Sequence, residues 1–511
     1  MKKYALISVT DKTGIVDLAK GLIQNGFTII STGGTSRLLR EHEVPITDIA
    51  DFTGFSEILD GRVKTLHPKV HSGILFDRQK HALEAATLKT EPIDLVVVNL
   101  YDFAKEAKLK KLGLEEAIEF IDVGGPTMLR GAAKNWQYVL PVIDPLDYAD
   151  VLNFATTGYF PAEFRKKLAR KVFATTSQYD AMIAHYFLAS EPGGQLPVSL
   201  TLSSPLRYGE NPKQKAALYK TSWAHQDGFC EIEILQGKEL SYNNYLDLDA
   251  AVGLIREFAD EMALTIVKHN NPCGTAINSP GDTLVDVYRK ALSGDPRSAF
   301  GGIVATNTEI SEDVASEMSS LFLECIIAPS YSEDAKRIFS QKKNLRLISA
   351  PWLKTKPEPE LTLKSIRGAV LVQDQDVVSE VTWLIPTIEK PTSEQTRDLK
   401  FAWKVSAHVK SNAIVFAKNG VTLTVGAGQM SRIDSATFAA EKALAEDKPL
   451  RGSVMASDAF FPFRDTVDLA AKFGISAIIQ PGGSMRDQES IDACNETKIA
   501  MAFTGERHFK H

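Results

Sequence analysis

The chain has 511 residues, 44% of them hydrophobic and 24% charged, so two or three domains with cores of ordinary size are expected. Its 58 Lys plus Arg against 64 Asp plus Glu leave a formal charge of −6, which exerts no general pull on nucleic acid but leaves room for local basic clefts that hold phosphorylated metabolites. No apolar run is long enough to span a membrane, and Cys230, Cys273, Cys325 and Cys494 form no CxxC pair, which argues against a disulfide framework or zinc ribbon and for a reducing cytoplasm.

Met1-Lys2-Lys3 begins basic, but the apolar run after it is too short for a signal peptide and meets Asp11-Lys12-Thr13-Gly14 at once, so Tyr4 to Val9 reads as a strand. A helix from about Gly14 to Gln24, a strand from Thr28 to Ser31 and a helix opening near Thr35 continue a βα rhythm. Ile93 to Leu100 has the near-continuous apolar character of a central strand covered on both faces, and Tyr138 to Ile143 is a further strand. This pattern predicts a doubly wound α/β unit with a parallel sheet.

A long helical pattern ends near Tyr186-Phe187-Leu188, and the Pro-, Gly- and polar-rich stretch Ala189 to Pro197 marks a boundary. The expected organisation is a first domain at 1–190, a linker at 191–205 and a second domain at 206–511, divided near 350–370 where Pro351 to Pro359 breaks the pattern. No internal repeat or low-complexity tract stands out.

In the first domain, Thr32-Gly33-Gly34-Thr35 lies between a strand and a helix, where backbone N–H groups can meet a phosphate, although a Gly-Gly turn equally serves simple chain reversal. Thr10-Asp11-Lys12-Thr13-Gly14 is a second loop of this kind, and loops at the carboxyl ends of neighbouring strands share one crevice. Gly61-Arg62-Val63-Lys64-Thr65-Leu66-His67-Pro68 adds two cations on a proline-stiffened loop, which charge alone does not separate from a solvated turn. Tyr101 and Asp122 stand at element ends as proton-transfer candidates, with Arg130 and Lys134 on a helix starting near Pro126.

In the second domain, Lys268-His269-Asn270-Asn271-Pro272-Cys273-Gly274 directly follows the apolar strand Leu264 to Val267. It presents a cation, an imidazole and two amides at a strand mouth, an arrangement for chemistry on a small polar substrate. A zinc deaminase would need a second cysteine three positions after Cys273 and an H-x-E segment, and the chain has neither, so no metal is expected.

GRVKTLHP (61–68), NLY (99–101), IDVGGPTMLRGAAKN (121–135), LRYGENPKQ (206–214), KHNNPCG (268–274), SAFGG (298–302), GAGQMSRID (426–434), SDAFFPFRD (457–465) and FTGERHFKH (503–511) occur in this order. In these motifs the chain closely resembles, from end to end, the bifunctional family that fuses phosphoribosylaminoimidazolecarboxamide formyltransferase to IMP cyclohydrolase. The resemblance implies formyl transfer from the co-substrate 10-formyltetrahydrofolate to the 5-amino group of AICAR, and then dehydrative closure of FAICAR to IMP. It also implies a methylglyoxal-synthase-like N-terminal fold, a C-terminal α/β region of two cytidine-deaminase-like subdomains, and a homodimer whose transferase sites draw on both subunits.

The resemblance assigns formyl transfer to Lys268, His269 and Asn412. An imidazole can accept the proton of a poorly nucleophilic amine, a neighbouring ammonium supplies charge or a proton, and an amide orients the formyl group. It assigns cyclisation to Lys64, Tyr101, Asp122 and Lys134, with Lys64 and the Thr65 backbone on the formyl oxygen, and phosphate and ribose binding to Thr10, Lys12, Thr32, Gly33, Gly34, Thr35 and Arg62. Arg207, Tyr208, Arg432 and Arg507 are implied substrate contacts, since guanidinium groups grip phosphate and carboxylate with paired hydrogen bonds. Asn244, Gly301, Glu324, Phe460 and Asp465 complete that set, although Phe460, Phe461 and Phe463 taken singly read as core residues. One alternative keeps the formyltransferase but makes the first domain a non-catalytic nucleotide sensor, for which Lys64, Tyr101, Asp122 and Lys134 together have no purpose.

Overall fold

The computed structural model describes residues 2–59, 61–101, 103, 106–107, 110, 112–188, 194–221, 228–356 and 359–511. Contacts divide the chain into two compact units, Met1–Thr201 with Tyr219–Ala224, and Leu202–Leu218 with His225–His511. The start of the expected linker, 191–193, and Pro357 and Glu358 of the expected divider lie outside the described residues.

The first unit contains five parallel strands, β1 (Lys3–Ser8), β2 (Phe27–Ser31), β3 (Ile46–Asp48), β4 (Ile93–Val98) and β5 (Leu140–Val142), in the order β3-β2-β1-β4-β5. Successive side chains of a strand point to opposite faces, so an unbroken apolar run feeds two cores. Ala5, Ile7, Leu95 and Val97 belong to one cluster and Tyr4, Leu6, Val96 and Val98 to another. The first cluster also takes the buried stripe of helix α1 (Ile15–Gln24), and the second that of helix α3 (Gly124–Lys134). Helix α2 (Gly33–Glu41) follows β2 directly. From β1 the chain winds outward to β2 and β3, then returns beyond β1 to β4 and β5, which opens a crevice past the carboxyl ends of β1 and β4.

Two two-stranded ribbons stand apart from the large sheets: β6 (Leu200–Leu206) with β7 (Ala216–Thr221), and the antiparallel pair β14 (Leu361–Ile366) with β15 (Ala369–Asp374). The second unit is organised on eleven strands: β8 (Glu233–Gln236), β9 (Ala263–Lys268), β10 (Asn271–Ile277), β11 (Ile303–Thr306), β12 (Cys325–Ala328), β13 (Arg346–Ser349), β16 (Ile414–Lys418), β17 (Val421–Gly426), β18 (Val454–Ser457), β19 (Ala477–Gln480) and β20 (Ala500–Phe503). They form one sheet of order β20-β19-β18-β16-β17-β10-β9-β11-β12-β13-β8.

This sheet contains the same plan twice. A helix, α4 (Tyr242–Arg256), leads into the β9–β10 hairpin, helix α5 (Leu284–Ser293) follows, and β11 adds antiparallel to β9 with β12 and β13 parallel beyond it. Helix α6 (Ser393–Ala407) likewise leads into the β16–β17 hairpin, helix α7 (Arg432–Ala445) follows, and β18, β19 and β20 add after β16. Even the hydrogen bonds repeat: the Ala263 N–H donates to Asn307 just past β11 (3.0 Å), and the Ala413 N–H to Asp458 just past β18 (3.2 Å). Sequence reading finds no repeat because few residue identities recur, whereas backbone pairing and polar anchors do.

The halves join where β10 pairs antiparallel with β17, Ala276 opposite Val421. Asp295 reinforces the joint from the loop after α5, accepting from the Ser298 N–H and pairing with Lys442 of α7. Burial would raise the Asp295 carboxyl, but the hydrogen bonds from Lys442 and Ser298 outweigh it and hold the group below its ordinary range. A carboxyl depressed in the folded state stabilises above its unfolded pKa and loses that contribution as pH falls through the folded value. Asp295→Asn is therefore expected to lower stability at neutral pH by about 1.5–3 kcal/mol, and thermal melts should show the gap from wild type closing as pH drops below about 4.

Candidate active sites

In the first unit, the crevice beyond β1 and β4 gathers most of the residues expected there. Asn99 is the organiser that sequence reading passed over: its Oδ1 accepts from the N–H groups of Thr10 (2.5 Å) and Asp11 (3.0 Å), and its Nδ2 donates to Asp11 O (3.0 Å). The readable signal was an amide directly after an apolar strand. Lys12 Nζ donates to Val9 O and to Thr35 Oγ1 (2.8 Å), while Thr35 Oγ1 meets both Val9 N and Val9 O at 3.0 Å. The two glycine-containing loops are thus fastened to each other. Burial lowers the Lys12 ammonium from its ordinary range.

Thr32 precedes α2 in extended conformation and Gly33 opens the helix with φ +55°. The helix starts two residues earlier than predicted, which leaves the N–H groups of its first turn available to an anion. A Cβ at Gly33 would stand 3.4 Å from Lys64 Nζ, so the ammonium lies against this helix start where glycine leaves room. A cavity of about 360 Å³ beside it is lined by Thr32, Gly33, Ser36, Arg37, Arg40, Asp48 and Glu57, among others. Gly34 borders this turn, and a Cβ added there would meet open space. Arg62 is exposed and pairs with Glu119.

Helix α3 starts at Gly124, two residues before the predicted start, with Asp122 just ahead of it. Asp122 Oδ1 accepts from the Gly125 N–H (2.9 Å), and the Asp122 N–H donates to the Tyr179 hydroxyl (2.7 Å). Burial pushes the Asp122 carboxyl up, against the opposing pull of the Gly125 N–H and of Lys64. A Cβ at Gly124 would lie 2.7 Å from Thr65 Oγ1, so the Lys64-Thr65 loop and the start of α3 meet. Tyr101 is 45% exposed, three residues past the end of β4.

Lys134 is different. It is the exposed last residue of α3, ten helical steps and so about 15 Å from Gly124. The structure brings Lys64, Thr65 and Asp122 into one neighbourhood, and leaves Lys134 at the far end of the helix. A Cβ at Gly125 would stand only 2.4 Å from Asp122 Oδ2. Gly125→Ala must therefore displace that carboxylate, and assays of the separate half-reactions should show cyclisation reduced about 100-fold with formyl transfer unchanged.

In the second unit, β9 is buried from Ala263 to Val267 and emerges at Lys268. His269 (φ 52°) and Asn270 (φ 62°) form the two-residue connection to β10, both in the left-handed region, and His269 is exposed. Such hairpin turns match the twist of the strands but favour Asn and Gly, so a histidine there is held against its preference. Lys268 Nζ donates to Phe300 O (2.8 Å). The adjoining Gly301 donates to Phe322 O (2.8 Å), and Glu324 returns to Gly302 O (3.0 Å). Glu324 Oε2 accepts from Asn244 Nδ2 (2.8 Å), which joins Lys268, Gly301, Glu324 and Asn244 on one flank of the turn.

The other flank comes from the second half of the sheet. Asn271 Oδ1 accepts from the Lys410 N–H (2.9 Å), tying the turn to the Lys410-Ser411-Asn412 loop ahead of β16. Asn412 Nδ2 donates to Gln429 O (2.9 Å), and its carbonyl accepts from Ser435 Oγ (2.8 Å). Asp458, within the SDAFFPFRD segment, organises this flank. It accepts from Ser411 Oγ and the Ala413 N–H, pairs with Arg432 (2.8 Å), and its carbonyl takes the His508 N–H (3.0 Å). Burial raises the Asp458 carboxyl, against the opposing pull of Arg432 and of the Ser411 and Ala413 hydrogen bonds, and lowers the Arg432 guanidinium, against the pull of Asp458. Arg432, expected as a substrate cation, is 7% exposed and already engaged with Asp458 and Phe460 O (3.4 Å).

Arg207 is exposed, stacks 4.6 Å from the Tyr208 ring centroid and donates to its hydroxyl (2.7 Å), and the loop after it meets α4 through Asn243 and Glu210 (3.4 Å). Arg507 is exposed beside Phe509, and Asp465 opens a short helix. The aromatic motif divides: Phe461 is core, whereas Phe460 and Phe463 are 39% and 49% exposed, so the packing reading holds for Phe461 alone. Cys273 packs against the core on the α5 face of the sheet, and burial pushes its thiol up to about 12. A cavity of about 430 Å³, lined by Phe258, Glu261, Trp383, Arg397 and Lys404 among others, contains none of the residues selected from sequence.

Comparison with known proteins matches residues 14–127 to the MGS-like domain and residues 132–442 to the AICARFT/IMPCHase bienzyme family. The chain is 49% identical over 521 aligned positions to the bifunctional purine biosynthesis protein PurH of Bacillus cereus (strain AH820) and equally to that of Bacillus anthracis, with all of both chains covered in each case. PurH of Bacillus thuringiensis (strain Al Hakam) is 48% identical over the same span. A crystal structure of ForH, 40% identical, aligns with 37% of this chain and 100% of its own at a TM-score of 0.33.

Proposed function

This chain belongs to the AICARFT/IMPCHase bienzyme family, and we propose how its own residues divide the two reactions. The enzyme transfers formyl from 10-formyltetrahydrofolate to the 5-amino group of AICAR and closes the resulting FAICAR to IMP, the paired activities of purine biosynthesis. Its ligands are AICAR, FAICAR, IMP and the folate. The observation that carries the transferase assignment is the hydrogen bond from the Lys410 N–H to Asn271 Oδ1, which brings the His269 turn and the Asn412 loop together.

In this reading His269 takes the proton from the attacking amine, Lys268 supplies positive charge or a proton toward the departing folate nitrogen, and Asn412 orients the formyl group through its amide. Arg207, Tyr208 and Arg507 grip anionic groups of the ligands, while Asn244, Gly301, Glu324, Phe460 and Asp465 shape the pocket. Arg432 serves it indirectly, by fixing Asp458. In the first unit, Thr10, Lys12, Thr32 to Thr35 and Arg62 hold the phosphate and ribose. Lys64 with the Thr65 backbone stabilises the formyl oxygen, Asp122 accepts the carboxamide proton, and Tyr101 returns a proton as water leaves. Because both reacting groups belong to one molecule, holding the reactive rotamer supplies much of the rate. We leave Lys134 out of that group, and assign the division between the activities to 191–205.

Lys64→Ala is expected to retain formyl transfer and accumulate FAICAR, whereas His269→Ala should lose transfer by about 100-fold or more and still cyclise supplied FAICAR. Transfer near wild-type rate in His269→Ala would remove that histidine from the role of base. A homodimer and a cytoplasmic location complete the proposal. Four free cysteines suit a reducing compartment. The β14–β15 ribbon exposes Leu363, Ile366, Val370, Leu371 and Val372, and two strands alone are marginal in water, which favours their burial against a second copy. Sedimentation should give twice the chain mass, and the double change Val370→Lys with Val372→Lys should shift it toward monomer.

A further inference from the structure

The two hairpins of the duplicated sheet carry the same aspartate device under different turn sequences. Helix α4 opens with a capping box at Ser241 and Asn244, helix α6 with one at Thr392 and Gln395, and each bears an aspartate six positions after the cap, Asp247 and Asp398. Asp247 Oδ1 accepts from the Asn270 N–H at 2.7 Å. Asp398 accepts from the N–H groups of both Asn419 and Gly420 at 2.8 Å. The turns match as well: Asn419 and Gly420 have φ values of 55° and 70°, beside 52° and 62° for His269 and Asn270.

In the second half, Asn-Gly is the pair that suits two left-handed positions in a hairpin. In the first half the same backbone is built from His269 and Asn270, a histidine and an asparagine where the other turn has Asn and Gly, so it lacks glycine's freedom at positive φ and depends more on what holds it. The Asn271 side chain grips the turn from one side, its Nδ2 donating to His269 O (3.2 Å), and Asp247 grips it from the helix below. We propose that Asp247 is a positioning residue for formyl transfer: its carboxylate clamps the Asn270 N–H and so fixes the left-handed turn that aims the His269 imidazole at the substrate amine. The proposal rests on the reading of His269 as base, and it gives the strained turn of the first half a catalytic purpose that the Asn-Gly turn of the second lacks.

The test compares full-length Asp247→Ala, Asp247→Asn, Asp398→Ala and Asp247→Ala/Asn270→Gly for both half-reactions and for thermal stability. Asp247→Ala should lower kcat for transfer about 10- to 100-fold with KM for AICAR within about threefold and cyclisation unchanged. Asp247→Asn keeps an acceptor oxygen and should retain most activity. Adding Asn270→Gly, which frees that position to adopt positive φ, should restore transfer substantially. Asp398→Ala should lower the melting temperature comparably while leaving transfer within about threefold of wild type. Equal losses of transfer in the two alanine variants, or no recovery with Asn270→Gly, would reduce Asp247 to a fold-stabilising role. Retained transfer in His269→Ala would instead remove the base assignment, and that result is independent of the comparison between the aspartates.

Discussion

The antiparallel pairing of β10 with β17 is the constraint on which the second unit depends. It merges two copies of one α/β plan into a single eleven-stranded sheet and so satisfies the edges that each half would otherwise leave unpaired. The same pairing brings the start of β10 beside the end of β17. The β9–β10 turn from one copy and the loop ahead of β16 from the other therefore face each other, and neither copy alone contains Lys268, His269 and Asn412. The Asn419-Gly420 turn lies at the opposite end of this pair, where the Ile277 N–H donates to Gly420 O, so only the His269-Asn270 turn faces the loop ahead of β16.

Buried charge reinforces the seam in two ways. Asp295 with Lys442 crosses between the halves, and Asp458 with Arg432 holds the Ser411 to Ala413 loop and the C-terminal segment in place. Ion pairs removed from water add little net stability compared with apolar packing, but leaving one member unpaired is costly, so they fix a single arrangement of the loops around them. A positive residue read from a motif can thus belong to the scaffold, as Arg432 does. In the first unit neutral groups do the equivalent work, with Asn99 and Thr35 fastening the loops that follow β1 and β4.

Much of the first unit was legible because its signals are local. Unbroken apolar strands, the glycine-rich turn after β2 and the βα rhythm each follow from residues adjacent in sequence, and their boundaries shift by only a few positions in the structure. The proline- and glycine-rich break and the reactive KHNN segment were visible for the same reason. The duplication of the second unit came only from the family resemblance, which implied two like subdomains, and not from the residue pattern, because it is preserved in strand pairing, helix caps and two aspartates while the intervening side chains differ. The split among Phe460, Phe461 and Phe463 was equally hidden, since alternating aromatics look alike until one face is covered.

The amino-acid sequence by itself determined the α/β class, the loops able to meet phosphate, and a cation beside an imidazole at a strand end, because composition and periodicity act over a few residues. Tertiary structure decided which of those residues meet. It joined Asn271 to Lys410, seated Lys64 against the start of α2, engaged Arg432 with Asp458 and kept Lys134 a helix length away from Asp122. Hydrogen bonds and ion pairs require approach within about 3 Å, and distances of that kind between remote segments are set by how strands register and helices pack.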